Sequence, residues 1–273
     1  MKVIANHTRR QLERGELALG MGLRQARTVD IAQIARTCDF DWLFIDMEHN
    51  SMSMDVAAQI CAAALGVGIT PMIRVPAHEP FHSTRLLDTG AQGIVVPHVD
   101  DAQQARRVVD FCRFPPLGHR SIPGGLPQTR FAALPVTETV SLINGETLVV
   151  VMIETVEGLR NVEEIAAVEG IDALLVGCTD MAAELGITGQ LGHPKVGDAI
   201  DKVVAACRRH GKTPGVGGVY DEALMREYVA KGARLILSGS DLAFLMAGAR
   251  SRSAMLRSIA LDEPHTLPME TAR

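Results

Sequence analysis

Short apolar runs rich in branched side chains alternate along the chain with stretches whose apolar residues recur at helical spacing, and the two patterns repeat in order. The runs predict strands over 17–24, 42–46, 71–75, 93–97, 148–154, 173–177, 213–219 and 235–239. Helices are predicted between them over 28–37, 54–66, 80–89, 100–112, 158–168, 196–210, 221–231 and 241–258. Several of the strands begin after a Gly or Asp turn and are apolar on both faces, as parallel strands covered by helices are. Eight such units close naturally into a (β/α)8 TIM barrel, an α/β fold, and 273 residues suit one barrel of typical size. The barrel domain is expected over 1–260. Its largest irregular piece is 113–147, whose Pro and Gly content predicts a long loop, and 261–273 is expected to be a polar C-terminal tail.

Composition narrows the partners. Hydrophobic residues make up 47% and charged residues 22%, and the formal charge of -5 offers no basic field for nucleic acid. Cys38, Cys61, Cys112, Cys178 and Cys207 are scattered and form no CxxC pair, which fits reduced thiols better than disulfides or a zinc cage. The first residues lack the apolar run of a signal peptide, and no segment offers the roughly 18 apolar residues of a membrane span. A cytoplasmic protein acting on small molecules, without membrane or nucleic-acid partners, is expected.

In a barrel of this kind the chemistry lies at the C-terminal ends of the strands. Strand 2 ends in Asp46-Met47-Glu48-His49, strand 3 in Arg74, strand 4 at His98, strand 5 in Glu154, and strand 6 runs through Gly177-Cys178-Thr179 into Asp180. Glu154 and Asp180 end consecutive strands, which lie about 4.8 Å apart when paired, so both carboxylates reach one point at the mouth. Two hard oxygen ligands suit Mg2+, Mn2+ or Co2+ and leave positions open for water and a chelating substrate. Either carboxylate could instead cap the helix that follows it. Arg74 is placed to bind a carboxylate or an enolate oxygen, or to pair with a neighbouring acid. His49, three residues after Asp46, becomes a useful general base if the carboxylate fixes its tautomer.

The lysines bear on the choice of chemistry. Lys2 and Lys195 lie outside strands, Lys202 and Lys231 fall on helices, and Lys212 precedes strand 7 at the wrong end of the barrel, so none is placed to form a Schiff base. Carbanion chemistry here needs a metal ion as its electron sink. The glycines at 215, 217 and 218 lack the lysine of a P-loop and the spacing of a dinucleotide site, and are read as small residues making room beside strand 7.

At FDWLFIDMEH, IRVP, LLDTGAQGIVVPHV, PPLGHRS, MIET and GCTDMAAELG the sequence resembles the bacterial class II 2-oxo-acid aldolases that include 4-hydroxy-2-oxoheptanedioate aldolase and 2-dehydro-3-deoxyglucarate aldolase. The resemblance covers roughly residues 17–250. It implies Glu154 and Asp180 as metal ligands, Arg74 at the pyruvate enolate oxygen, His49 with Asp46 handling protons, and the backbone amides of Thr179 and Asp180 receiving the pyruvate carboxylate. It implies reversible cleavage of a 4-hydroxy-2-oxo acid to pyruvate and an aldehyde, and a homohexamer built as a dimer of trimers, with 113–130 near a subunit contact. Three positions depart from the family pattern: Met152 stands for a glutamine, Gly20 for a tryptophan on strand 1, and Gly217 for a bulky residue lining the acceptor pocket. With Arg24 and Arg27 in the loop after strand 1, these predict a roomier acceptor pocket with an arginine at its far end. Two alternatives remain, an acyl-CoA lyase of the citryl- or malyl-CoA type and a non-catalytic barrel that binds 2-oxo acids.

Overall fold

The computed structural model describes residues 2–260, and the expected tail at 261–273 lies outside the described residues. Eight parallel strands, β1 (Ala18–Leu23), β2 (Trp42–Asp46), β3 (Thr70–Arg74), β4 (Gly93–Val96), β5 (Leu148–Ile153), β6 (Ala173–Gly177), β7 (Thr213–Gly217) and β8 (Leu235–Ser240), form a closed barrel in sequence order. Each begins and ends within a residue or two of its predicted span. The (β/α)8 architecture expected from the pattern is therefore the observed one.

Successive side chains of a strand point to opposite faces, and this pleat sorts the chain into two cores. Trp42, Phe44, Met72, Leu148, Val150, Met152 and Leu175 fill the interior of the barrel. Leu43, Ile45, Ile73, Val149, Val151 and Leu174 face outward and pack with the helices that ring it. Both faces are apolar because both are buried, which is why the strands read as continuous hydrophobic runs. Burial of each large aliphatic side chain contributes roughly 1.5–3 kcal/mol.

The ring contains α2 (Ile31–Thr37), α3 (Met54–Val67), α4 (Pro80–Asp88), α5 (Ala102–Cys112), α10 (Pro194–His210) and α11 (Glu222–Lys231) near their predicted positions. The predicted helix over 158–168 is two short helices, α7 (Val156–Arg160) and α8 (Val162–Ala166). They break at Asn161, whose side-chain amide donates to the Asp100 carbonyl at 2.8 Å. Three further helices escaped the pattern. α1 (His7–Glu13) is mostly polar; Asn6 caps it, and Leu12 packs against the interior core at the N-terminal end of the barrel. α6 (Val136–Glu146) lies inside the segment expected to be a loop, and Pro127–Thr129 there forms a 3-10 turn. Val, Thr, Asn and Gly give α6 a weak helical propensity, and packing of Val140 and Ile143 against Phe114 and Leu126 holds it in place. α9 (Cys178–Glu184) starts directly where β6 ends and spans only seven residues. The final helix, α12 (Asp241–Arg257), buries none of its residues and carries exposed Phe244, Leu245, Met255 and Leu256. Among the described residues no helix is long and apolar enough to cross a membrane.

Gly20 corrects the expectation of space at the mouth. A Cβ on Gly20 would stand 2.3 Å from Trp42 Cε2, so the glycine accommodates the buried indole across the register pair Gly20–Trp42. The indole N–H donates to the Ala18 carbonyl at 3.1 Å. The volume released at position 20 belongs to the barrel interior and not to a ligand pocket. Gly20→Ala is expected to displace the ring and to destabilise the protein by about 1–3 kcal/mol. Trp42 is the chain's one tryptophan, so its fluorescence reports the displacement directly; unchanged emission and melting temperature would contradict this packing.

Candidate active site

The inward positions that fill the barrel with apolar side chains turn polar at its C-terminal mouth. Asp46 follows Trp42 and Phe44 on β2, Arg74 follows Met72 on β3, and the two are register partners. Arg74 Nε and Nη2 donate to Asp46 Oδ1 and Oδ2 at 3.1 and 2.8 Å, and Nη1 forms an ion pair with Glu48 Oε2 at 2.8 Å. The guanidinium also lies 5.0 Å from the centre of the Phe44 ring. Burial works to raise the Asp46 carboxyl, but the Arg74 pair and the backbone N–H groups of Glu48 and His49 outweigh it and hold the group below its ordinary range. Asp46 is thus an ionised anchor. The acid partners that were one of two readings for Arg74 are present, and the remaining guanidinium N–H bonds are available to the cavity that Arg74 lines.

His49 also lines this cavity, with its side chain half exposed. Asp46 does not hold its imidazole, contrary to the expected pairing: Oδ1 takes the His49 backbone N–H at 3.3 Å. The nearest carboxylate to the ring is Glu48, at 3.7 Å from Nε2, beyond hydrogen-bond length. Arg74 claims the Asp46 oxygens because a guanidinium matches a carboxylate in two bonds at once. Glu48 was passed over in the sequence because it lies two residues past the end of β2, where the strand pleat no longer fixes the direction of a side chain.

Glu154 continues the inward series Leu148, Val150, Met152 and is 1% exposed. Its Oε1 accepts the His98 backbone N–H at 2.9 Å, and His98 holds φ at +50° in presenting that bond. Its Oε2 is buried without any hydrogen-bond partner among the described residues. A Cβ at Gly177 would stand 2.3 Å from Oε2, so any larger residue at the end of β6 would push the carboxylate out of this position. Burial pushes the Glu154 carboxyl up; His98 and Arg74 oppose this, and the nearby Asp180 charge adds to it. Asp180 is exposed in the first turn of α9 and lines the cavity. The helix-cap reading fails for both carboxylates: α9 has no side-chain cap, and Thr155 caps α7.

An oxygen buried with no partner and set beside a second carboxylate fits a hard divalent cation. Among the described residues no group of three His, Cys, Asp or Glu side chains converges on one point. A cation held by Glu154 and Asp180 alone would keep most of its positions for water and substrate.

The cavity between these groups has a volume of about 460 Å³. Thr179 and Met152 line it, and Gly217 opens it: a Cβ there would make only ordinary contact with Leu237, at 3.5 Å, so the missing side chain leaves real space. Arg24, Tyr220 and Ser240 also line it. Arg27 turns away, donating to the Arg24 and Ala26 carbonyls. No lysine lines the cavity; Lys212 sits at the other end of the barrel, donating to the Val168 and Ile171 carbonyls. A second cavity of about 530 Å³ opens at that N-terminal end, where Arg9 and Arg113 are both paired with Asp172.

The family model described as HpcH/HpaI aldolase/citrate lyase matches residues 24–247. The chain belongs to this family. Its HpcH/HpaI relatives include the 4-hydroxy-4-methyl-2-oxoglutarate aldolase of Hapsidospora irregularis, 38% identical over 91% of this chain and 93% of that protein. The hydroxypyruvate/pyruvate aldolase of Cupriavidus necator is 34% identical over 90% of each chain. The crystal structure of an HpcH/HpaI aldolase from Desulfitobacterium hafniense, 30% identical, superposes with a TM-score of 0.90 over 95% of this chain and 100% of that one.

The raised Glu154 carboxyl has a measurable consequence. A carboxyl whose pKa is higher in the folded than in the unfolded chain stabilises the fold fully below the unfolded value, and that contribution is lost as pH rises through the folded value. Metal-free Glu154→Gln stays neutral at every pH and keeps the acceptor for the His98 N–H. Its stability relative to metal-free wild type is therefore expected to improve as pH rises from about 4.5. Chemical denaturation across pH checks this, and a constant difference would contradict it.

Proposed function

We propose that this HpcH/HpaI family member is a class II aldolase, a carbon–carbon lyase that reversibly cleaves a 4-hydroxy-2-oxo acid to pyruvate, or a related 2-oxo acid, and an aldehyde. The observation that carries the reading is the buried, partnerless Oε2 of Glu154, kept clear by Gly177 and facing the same mouth as Asp180. These two carboxylates would hold Mg2+, Mn2+ or Co2+. When bound, such a cation supplies Lewis-acid polarisation of the 2-oxo group and so the electron sink that no lysine provides. The relatives named for 4-hydroxy-2-oxo acids and for pyruvate support the same reaction class.

The chain's own groups divide the remaining work. His49 takes the proton of the C4 hydroxyl as the C3–C4 bond breaks, and the electron pair of that bond becomes the C2–C3 double bond of the pyruvate enolate. Arg74, fixed by Asp46 and Glu48, turns its free N–H bonds to the developing enolate oxygen. The uncapped amides of Thr179 and Asp180 receive the substrate carboxylate, aided by the positive end of α9. Asp46 orients Arg74 and does not itself exchange protons in this scheme. We place the enzyme in the cytoplasm as a homohexamer, a dimer of trimers. Exposed Phe244, Leu245 and Met255 on α12 support association of copies.

Metal-stripped protein is expected to release no pyruvate from a panel of 4-hydroxy-2-oxo acids and to regain activity with Mg2+, Mn2+ or Co2+. Full activity after verified stripping would overturn the reading. Glu154→Ala and Asp180→Ala are expected to abolish tight metal binding, measured by calorimetry, while the barrel stays folded.

Arg74→Lys keeps a positive charge beside Asp46 but loses the planar fork, and is expected to lower kcat by roughly 10²- to 10³-fold, the usual loss for one transition-state donor. Its metal affinity is expected to change far less. A wild-type kcat would remove Arg74 from the enolate.

A further inference from the structure

The barrel mouth carries two arginines in opposite electrostatic states. Arg74 is neutralised by Asp46 and Glu48. Arg24 lines the same cavity from the loop after β1, and no acid pairs with its guanidinium among the described residues. Its one side-chain bond among the described residues is a long donation from Nη2 to the His49 carbonyl, at 3.3 Å.

The loop carrying Arg24 is fixed. Asp241, the first residue of α12, accepts the backbone N–H of Arg24 through Oδ1 at 2.9 Å and those of Gln25 and Ala26 through Oδ2 at 2.9 and 2.6 Å. It also takes its neighbour Leu242's N–H at 2.7 Å. Four backbone donors thus absorb the Asp241 charge and set the start of the Arg24 side chain over the cavity. Tyr220, just beyond β7, lines the cavity on the same sector. It is 57% exposed, and a phenol is protonated at neutral pH, so it is an O–H donor to the cavity.

Position around the ring gives this pair its meaning. In a closed barrel of eight strands in sequence order, β1 lies opposite β5. Arg24 therefore faces Glu154 across the mouth, with opposing backbones roughly 15 Å apart. A short extended molecule anchored by its 2-oxo-acid end near β5 points its other end across the mouth toward β1, and Tyr220 stands beyond β7 within range of the Arg24 charge. What waits there is an uncompensated guanidinium and a phenol, both hydrogen-bond donors.

We propose that Arg24 and Tyr220 form a recognition site for a carboxylate at the far end of the substrate, with Asp241 as the positioning residue for Arg24. The substrate class is then the 4-hydroxy-2-oxo dicarboxylic acids, and the acceptor released is a carbonyl compound that itself bears a carboxylate. The assignment rests on the aldolase reading and extends it to the acceptor half of the site.

The test compares 4-hydroxy-2-oxoglutarate with 4-hydroxy-2-oxopentanoate, which differ only in a terminal carboxylate against a methyl group. Wild type is expected to prefer the diacid in kcat/KM. Arg24→Gln is expected to reduce that preference about ten- to hundredfold, mainly through KM, as the loss of a charge-assisted bond does. Tyr220→Phe should lower it by less, Arg24→Lys should retain part of it, and Asp241→Asn should shift it in the direction of Arg24→Gln. Titration calorimetry with 2-oxoglutarate against 2-oxopentanoate should follow the same order. Wild type that exchanges the methyl protons of pyruvate with solvent yet shows no preference, or variants that depress both substrates equally, would overturn the carboxylate site alone. Wild type that cleaves neither acid and exchanges no protons would overturn the aldolase reading, and the site with it.

Discussion

Every part of the site depends on the parity of the barrel strands. A closed parallel barrel buries both faces of each strand, and the pleat allows no side chain to change face without breaking a ladder of backbone bonds. The last inward positions of neighbouring strands must therefore meet over the interior core. On β2, β3 and β5 the apolar inward series ends in Asp46, Arg74 and, one residue past the strand, Glu154. Their convergence follows from counting by twos along three strands, with no loop needed to bring them together.

That geometry forces charges onto an apolar floor made by Phe44 and Met152, and the chain treats the two carboxylates differently. Asp46 is offset by a bidentate guanidinium and backbone donors, so it stays ionised and rigid. Glu154 receives one backbone donor and keeps one oxygen without a partner. An unpaired buried carboxylate oxygen destabilises a fold unless something else binds it. The chain preserves this cost by keeping glycine at 177, where even a methyl group would collide with the carboxylate. The same contrast, one group satisfied and one held in readiness, is what a site for charge development requires.

The barrel was legible because two-sided burial writes most of its strands as apolar runs; β7 (TPGVG) and β8 (LILSGS) carry the pattern less purely and were placed by their position in the repeat. Polar residues at strand ends were legible for the same reason, since Asp46, Arg74, Glu154 and Asp180 interrupt or follow those runs. What escaped were elements held by tertiary contact. α1 shows the interior little beyond Leu12, α6 is built from weak helix formers, and α9 is too short for a periodicity. Partner choice was also hidden. Nothing in DMEH tells whether Asp46 binds the His49 ring or a guanidinium on the next strand, because that depends on the register of β2 against β3. Gly20 misled for a similar reason: a missing side chain reads as open space until the indole that fills it is seen.

The departures at Gly20 and Gly217 illustrate how one residue type serves opposite ends. At Gly20 the nearest atoms of Trp42 already occupy the place of a Cβ, so the glycine is a packing requirement and cannot enlarge a ligand site. At Gly217 the nearest atoms stand at ordinary contact distance, and they belong to Leu237 and Leu175. Space there is apolar and permissive. Discrimination of the acceptor must then come from fixed donors, because an open apolar pocket separates ligands only weakly whereas a placed hydrogen-bonding group separates them strongly. The donors lining this cavity beside that space are Tyr220 and Arg24, and the Asp241 clamp fixes the backbone from which Arg24 extends. Size tolerance and charge selectivity can therefore coexist in this pocket, since one arises from a glycine on β7 and the other from a loop after β1.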